Sequence, residues 1–252
     1  PNATYVGFTG TPVDGTIEVF GGVVDAYTMT EAVKDGITVN LVYDGRAAKV
    51  MLNQDKVRQI EEYYAQCELE GANEHQVEES QKAVAKMEVI IGDPDRLRAV
   101  AEDFIKHYET RVAEGATVAG KAMFVCSNRN IAYDFYKIVK ELRPEWTEKK
   151  ICDDGVVLSE KDKKELKPME KIKLVMTRNK DDEKDLFDML GTKEDRKEFD
   201  RQFKNPKSNF KIAIVVDMWL TGFDVPELDT IYIDKPIQQH TLIQTISRVN
   251  RV

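Results

Sequence analysis

The stretch Ile212-Ala213-Ile214-Val215-Val216 is an unbroken apolar run rich in β-branched side chains. Strands buried on both faces of a parallel sheet have this pattern, whereas strands with one face in water alternate apolar and polar residues. Three further short, largely apolar runs resemble it: 122–126, 172–176 and 230–233. Helical patterns lie between these runs, over 131–142 and 194–203. This alternation predicts an α/β fold, a parallel sheet flanked by helices.

The region before residue 120 has a different pattern. Apolar residues recur at helical spacing over 52–114, which predicts a mainly helical insertion. Asp93-Pro94 marks a helix start, because proline suits the first helical position. That helix places four apolar residues on one face: Leu97, Val100, Phe104 and Ile105. Two shorter stretches, 5–12 and 37–43, resemble strands, and the first leads us to expect that earlier strands of its domain precede this sequence.

The composition is that of an ordinary globular protein. Of 252 residues, 42% are hydrophobic and 33% charged, and no apolar run approaches the roughly 20 residues that a membrane span needs. The first residues show no secretion signal. Three cysteines, Cys67, Cys126 and Cys152, follow no metal-ligand spacing and predict a reducing, cytoplasmic setting. The net charge of −8 argues mildly against nucleic-acid binding, although a motor can grip phosphates along one narrow face.

Two segments imitate nucleotide-binding motifs. Residues 115–122 nearly match the phosphate-binding loop, but a helix is predicted before them and a strand after them, the reverse of the required order. Ala122 also lacks the hydroxyl that would hold Mg²⁺. Asp217 follows an apolar strand as a Mg²⁺-binding carboxylate would, but no usable loop accompanies it. We therefore expect no metal site here and no ATP hydrolysis by this sequence alone.

The residues with the most specific chemistry lie near the C-terminus. Gln244, Arg248 and Arg251 fall at i, i+4 and i+7 of a predicted helix over 241–251, and so share one face. A guanidinium group can donate hydrogen bonds to two phosphate oxygens at once. It can also stabilise the negative charge on a phosphoryl group during its transfer. On this segment alone, a solvated basic helix face is an equally good interpretation.

The turn at Thr221-Gly222 decides between these interpretations. It follows the strand at 212–216, and ligands bind at the carboxyl ends of strands in open α/β sheets. Thr221 can offer a hydroxyl, and Gly222 lets the backbone approach a phosphate closely. Asp224 can bond a neighbouring ligand group or an arginine. The combination favours a phosphate-binding function.

Together these segments resemble the motifs of superfamily 2 helicases, in the order of that family. Residues 9–12 (Thr-Gly-Thr-Pro) resemble motif III, 124–128 motif IV, 221–224 motif V and 244–251 motif VI. Several segments are more closely similar to one group, the R subunit of type I restriction enzymes: 8–12, 25–27, 31–36, 215–226 and 247–251. Ser247 and Asn250 stand where most of superfamily 2 has glycine, as in that group.

The resemblance implies a multidomain protein with a nuclease domain, two RecA-like motor lobes and a C-terminal helical region. Residues 1–13 would be the last strand and motif III of the first lobe, 14–119 a connecting segment and helical insertion, and 120–252 the second RecA-like helicase lobe. ATP and Mg²⁺ would be held mainly by the first lobe. Double-stranded DNA and the methylation and specificity subunits would be the partners.

The same resemblance implies roles for individual residues. Closure of the lobes on ATP and reopening after hydrolysis would move the DNA. Catalytic roles fall to Arg248, Arg251 and Gln244. Nucleotide-binding roles fall to Thr9, Gly10, Thr11, Gly222 and Asp224. DNA-backbone contacts fall to Ser127, Asn128, Arg129 and Thr221, with Arg129 equally well explained as an ordinary residue at a helix start.

Two other functions fit the same residues. One is a different superfamily 2 motor, such as a chromatin-remodelling-like translocase or a helicase unconnected with restriction, which a flanking nuclease domain would distinguish. The other is a non-catalytic interaction module that keeps a motor-like fold. The presence of both Arg248 and Arg251 argues against that module.

Overall fold

The computed structural model describes residues 6–9, 14–46, 90–220, 224–225 and 227–235. Within them, four strands form one sheet: β1 Lys121–Cys126, β2 Ile172–Leu174, β3 Ile212–Val215 and β4 Leu228–Asp234. The strand order is β2-β3-β1-β4, and every neighbouring pair is parallel. The predicted α/β fold with a parallel sheet is confirmed.

The strands differ in burial as their sequences lead one to expect. β1 and β3 lie inside the sheet and are buried along their whole length. β4 pairs with β1 on one side and is only partly buried, which suits its polar residues Thr230 and Asp234. Phe124 at the centre of β1 pairs with Ile214 of β3 and Tyr232 of β4.

Helices connect the strands and precede the sheet. They are α1 Asp14–Phe20, α2 Met29–Lys34, α3 Pro94–Ala113, α4 Arg129–Leu142, α5 Glu160–Glu165, α6 Lys184–Leu190 and α7 Lys193–Lys204, with a 3-10 helix at Pro144–Thr147. No helix in the described part of the chain is both long and apolar enough to cross a membrane.

The helices cover both faces of the sheet. Alternate residues of β1 point to opposite faces. Phe124 packs in one apolar cluster with residues of α3 and α4, and Val125 in a second cluster with residues of α7. Phe104 of α3 lies at the centre of the first cluster, with its ring centroid 5.1 Å from that of Phe124 and 4.8 Å from that of Tyr232.

The predicted start of α3 is confirmed. The Asp93 side chain accepts a hydrogen bond from the backbone N–H of Arg96 at 3.2 Å, and Pro94 occupies the first helical turn. The face predicted to be apolar is buried at Leu97, Phe104 and Ile105, and Val100 packs partly buried against the same cluster.

The two strands predicted before the insertion are wrong for the residues that are described. Residues 6–9 and 37–43 have no regular structure and are mostly exposed. A strand needs a hydrogen-bonding neighbour, and none of the described strands lies beside them. Most of the predicted helical insertion, 47–89, and the predicted helix at 241–251 lie outside the described residues.

The segment 159–171 contains the short helix α5, none of whose residues is buried. Ser159 and Asp162 form a reciprocal capping box that stabilises this short helix from within. Leu166 and Met169, just beyond it, are buried. The helix itself consists mostly of lysine and glutamate. The apolar residues that pack this segment against the protein, Leu166 and Met169, therefore follow the helix.

Candidate functional site

The four parallel strands place their carboxyl ends along one side of the sheet, which we call the carboxyl edge. It is formed by the residues that directly follow the strands: Ser127 after β1, Val175 to Thr177 after β2, Val216 and Asp217 after β3, and Lys235 after β4. Ligands bind outside this edge in open α/β sheets. The predicted phosphate-binding turn follows β3 along the chain, so the carboxyl edge is the candidate site.

Ser127 and Asn128 connect β1 to α4. The Asn128 side-chain oxygen caps the helix by accepting a hydrogen bond from the backbone N–H of Ile131 at 3.0 Å. Ser127 Oγ is shielded from solvent and has no hydrogen-bond partner among the described residues. Both residues were predicted to grip DNA phosphates. The Asn128 side-chain oxygen caps α4, and Ser127 Oγ is shielded from solvent. The contacts of both residues with DNA therefore stay predictions.

Arg129 holds the loop that follows β2. Its guanidinium donates to both carboxylate oxygens of Asp182, at 2.5 and 2.6 Å, and to the carbonyl oxygen of Thr177 at 2.7 Å. Only 6% of the Asp182 side chain is exposed, and the backbone N–H of Asn179 donates to the same carboxylate. The predicted contact between Arg129 and DNA remains a prediction, and the geometry shows a structural use of this side chain.

Two ion pairs fix the carboxyl end of β4. Lys235 Nζ donates to Asp217 Oδ1 at 2.8 Å and to the carbonyl oxygen of Val216 at 3.3 Å, at the end of β3. Arg96, in the first turn of α3, donates to both carboxylate oxygens of Asp234. The sequence showed neither pair, because the partners lie 18 and 138 positions apart.

Trp219 shapes the turn between β3 and the predicted Thr-Gly motif. Its φ angle is 67°, a conformation that is strained for any residue other than glycine. Its indole ring stacks on Phe203 of α7, with centroids 5.3 Å apart and planes 29° from parallel. Packing therefore holds a strained backbone two residues before Thr221.

The near-match to a phosphate-binding loop lies at the opposite, amino edge of the sheet. As predicted, α3 precedes it and β1 follows it. Gly115 and Gly120 have positive φ angles of 67° and 66°, so turn geometry accounts for both glycines. Lys121 is fully buried and donates to the carbonyl oxygen of Phe210 at 2.5 Å. Burial lowers the pKa of its ammonium well below the usual value, and the lysine serves packing.

Three carboxylates at or near the carboxyl edge are paired with cations: Asp182 with Arg129, Asp217 with Lys235 and Asp234 with Arg96. Across the residues that the structure describes, no group of three or more His, Cys, Asp or Glu side chains is placed to hold a metal ion. Mg²⁺ needs carboxylate or phosphate oxygens that can bind it in an octahedron. The described donor set does not fit that ion.

The other predicted site residues are only partly covered by the structure. Thr9 and Asp224 are exposed. Seven residues lie outside the described ranges: Gly10, Thr11, Thr221, Gly222, Gln244, Arg248 and Arg251. Their proposed contacts with nucleotide and DNA stay predictions.

Comparison with protein families gives two matches. The family described as Type I restriction enzyme subunit R domain 3 matches residues 118–252, which include the whole sheet. The family described as SWI2/SNF2 ATPase matches residues 1–78.

Individual relatives match over the full length of the chain. The Type I restriction enzyme HindI endonuclease subunit of Haemophilus influenzae is 37% identical over 100% of the chain. The Type I restriction enzyme SauCOLORF180P endonuclease subunit of Staphylococcus aureus is 28% identical over the same extent. The chain spans only 22% and 26% of the lengths of these two relatives.

Proposed function

This chain belongs to the type I restriction enzyme R-subunit family, and from that premise we propose that it forms part of an ATP-driven, DNA-translocating motor. One observation carries the proposal. The sheet is wholly parallel within the described residues, and β3 and β4, whose carboxyl ends lie at one edge, precede residues 221–224 and 241–251 along the chain. These are the segments predicted to bind phosphate.

We propose that residues 120–252 form the second RecA-like lobe, residues 1–13 the end of the first, and residues 14–119 the connection and insertion. The match of residues 118–252 to an R-subunit domain supports a second lobe that begins near residue 120, and the match of residues 1–78 to SWI2/SNF2 ATPases supports motor sequence before the insertion ends. The first lobe would supply the phosphate-binding loop and the Mg²⁺ ligands. Mg²⁺ ligands on the first lobe fit the observation that Asp182, Asp217 and Asp234 of this chain are each paired with a cationic side chain.

In this proposal the second lobe acts on the nucleotide through arginines. Arg248 and Arg251 would contact the γ-phosphate and stabilise the transition state, and Gln244 would help to orient the phosphate end of the site. Thr9, Gly10, Thr11, Gly222 and Asp224 would line the nucleotide cleft. Thr221, with Ser127 to Arg129, would contact the DNA backbone, which positions a strand without reading its bases.

The full-length protein would work in the cytoplasm with methylation and specificity subunits on double-stranded DNA. Its endonuclease activity, suggested by the names of the relatives, would reside outside this sequence. Another superfamily 2 motor or a non-catalytic module remains the alternative outcome of the test below.

The test is ATP hydrolysis by the full-length protein, assembled with its methylation and specificity subunits, on unmethylated duplex DNA. We expect DNA-dependent hydrolysis that falls by about 10³-fold in Arg248→Ala or Arg251→Ala, because an arginine finger contributes about 10³ to 10⁵ in rate. Arg201→Ala is the control, since Arg201 lies on α7 and pairs with nearby Glu198. Normal hydrolysis in both variants would overturn the proposal and favour a docking module.

A further inference from the structure

Arg129 and Asp182 form an ion pair in which the carboxylate is buried and the guanidinium is partly exposed. Only 6% of the Asp182 side chain is exposed, whereas 29% of the Arg129 side chain is. The carboxylate also accepts a hydrogen bond from the backbone N–H of Asn179 at 2.6 Å, which fixes it within its own loop. Asp182 therefore lies behind the guanidinium, and a ligand that arrives from solvent meets Arg129 first.

The guanidinium keeps hydrogen-bond donors for such a ligand. An arginine side chain carries five N–H groups. In the structure, Arg129 Nη1 donates to the carbonyl oxygen of Thr177, and Nη2 donates to both carboxylate oxygens of Asp182. These bonds use at most three N–H groups, so at least two, including that of Nε, have no acceptor in the part of the chain that the structure describes. Guanidinium–phosphate contacts use one or two such groups.

The surroundings of Arg129 favour an anion. Arg129 is the first residue of α4, and the first turn of this helix has no acidic side chain. The partial positive charge of the helix N-terminus therefore adds to the charge of the guanidinium. Ser127 and Asn128, which are predicted to contact the DNA backbone, directly precede Arg129. A cation of fixed orientation thus lies next to the residues proposed to contact phosphate.

We propose that Asp182 is a positioning residue, which holds the Arg129 guanidinium in the orientation from which it donates to a phosphate of the DNA backbone. The inference deepens the proposed motor function and rests on it. A long side chain that is free in solvent loses rotamer entropy when it contacts a ligand. Asp182 and the Thr177 carbonyl impose that order during folding, so the loss does not oppose DNA binding.

The Arg143–Glu109 pair at the other end of α4 is a matched control. Arg143 also donates to both carboxylate oxygens of its partner, at 2.7 and 2.9 Å, and to one backbone carbonyl, that of Leu142 at 2.8 Å. Arg143 directly follows the last residue of α4, and the length of this helix places it about 20 Å from Arg129. Glu109→Gln removes the same charge from the same kind of pair as Asp182→Asn does.

The experiment measures binding of the full-length protein, without partner subunits, to a short fluorescently labelled DNA duplex over a series of salt concentrations. The variants are Arg129→Gln, Asp182→Asn, their double variant and the control Glu109→Gln, each checked for folding by circular dichroism. We expect Arg129→Gln to weaken binding about tenfold. It should also reduce the slope of log K against log salt by about 0.9, the contribution of one phosphate contact.

The direction of the change in Asp182→Asn separates positioning from simple electrostatics. Removal of a carboxylate makes the protein more positive, which by itself strengthens DNA binding. A positioning role predicts the opposite, a loss of about three- to fivefold, because the guanidinium is no longer held in place. The double variant should bind like Arg129→Gln, since Asp182 acts through Arg129. Glu109→Gln should bind like the unaltered protein.

Three results would overturn the inference. Unchanged or tighter binding by Asp182→Asn, while Arg129→Gln binds more weakly, would show that Asp182 restrains Arg129 or serves the fold alone. A double variant that binds more weakly than Arg129→Gln would show that Asp182 acts independently of the arginine. An equal loss in Glu109→Gln would reduce the effect to a general loss of stability.

Two further results separate the inference from its premises. If Asp182→Asn does not fold, Asp182→Ser decides, because its hydroxyl can still accept from the backbone N–H of Asn179. If neither variant folds, Asp182 serves the fold and the inference is refuted. An unchanged affinity and salt slope in Arg129→Gln would exclude the phosphate contact itself. Failure of the unaltered protein to bind duplex DNA would instead refute the proposed motor function.

Discussion

Lysine has different roles at the two edges of the sheet. Lysines lie at the amino ends of β1, β2 and β3, where Lys121 and Lys211 are buried and bond backbone carbonyls of surrounding loops. At the carboxyl edge, Lys235 pairs with Asp217, a solvated aspartate that precedes Thr221 by four positions in the sequence. The direction of the strands, more than the residue type, decides which charged side chains are available for function.

The largest effect that would test this contrast is expected at Lys121. Lys121→Glu would place an acceptor-only carboxylate against the carbonyl oxygen of Phe210 in a fully buried position. We expect a loss of more than about 4 kcal/mol in the free energy of unfolding, because an unpaired buried charge is that costly. Urea unfolding followed by circular dichroism measures it.

Lys121→Met is the matched variant, since it keeps the length of the side chain without the charge. It leaves the Phe210 carbonyl unpaired but also removes a buried ammonium, so the net loss should stay below about 2 kcal/mol. If the methionine variant is as unstable as the glutamate variant, the hydrogen bond of Lys121 is essential and our account of the amino edge is wrong.

A smaller loss of stability is expected at the carboxyl edge from Arg129→Ala. It would leave the nearly buried carboxylate of Asp182 without its cation, although the backbone N–H of Asn179 still donates to it. We expect the free energy of unfolding, measured in urea, to fall by about 2 to 3 kcal/mol. This loss lies between the values for surface ion pairs and for fully buried ones. The double variant Arg129→Ala/Asp182→Ala should recover part of this loss. Additive losses would show that the pair does not act as a unit.

The fold could largely be predicted from the sequence, because its evidence is local. The apolar runs gave the strands, and Asp93-Pro94 gave the start of α3. The predictions of strands at 5–12 and 37–43 were wrong for the residues that the structure describes. An apolar pattern alone cannot supply the neighbouring strand that a strand needs. The short helix α5 was missed because its stability comes from the Ser159–Asp162 capping box, which outweighs a weak apolar pattern.

The candidate site was less accessible to sequence reasoning. Residue types and spacing pointed to the carboxyl edge through Thr221-Gly222, but the groups that organise it pair over long separations. Arg129 finds Asp182 53 positions away, and Arg96 finds Asp234 138 positions away. No local pattern encodes such a contact. It follows from the parallel register, which brings the ends of separate strands and the starts of their helices together.

The smallest expected effect concerns the pH dependence of stability at the amino edge. Burial, reinforced by the nearby charge of Lys211, lowers the pKa of Lys121, whereas Asp153 and Glu227 act in the opposite direction. In the unfolded chain a lysine titrates near 10.4. Between the two pKa values the unfolded state binds more protons, so the free energy of unfolding rises with pH there.

Lys121→Met removes this titration and should therefore lose part of the rise. We expect the stability of the unaltered chain relative to Lys121→Met to increase from pH 7.5 to pH 9.5 in urea unfolding. The comparison cancels the other titrating groups, including Lys171, whose pKa burial also lowers. A constant difference across this range would mean that Lys121 titrates alike in both states. The buried lysine would then be no more shielded than a surface one, and the contrast between the two edges would lose its physical basis.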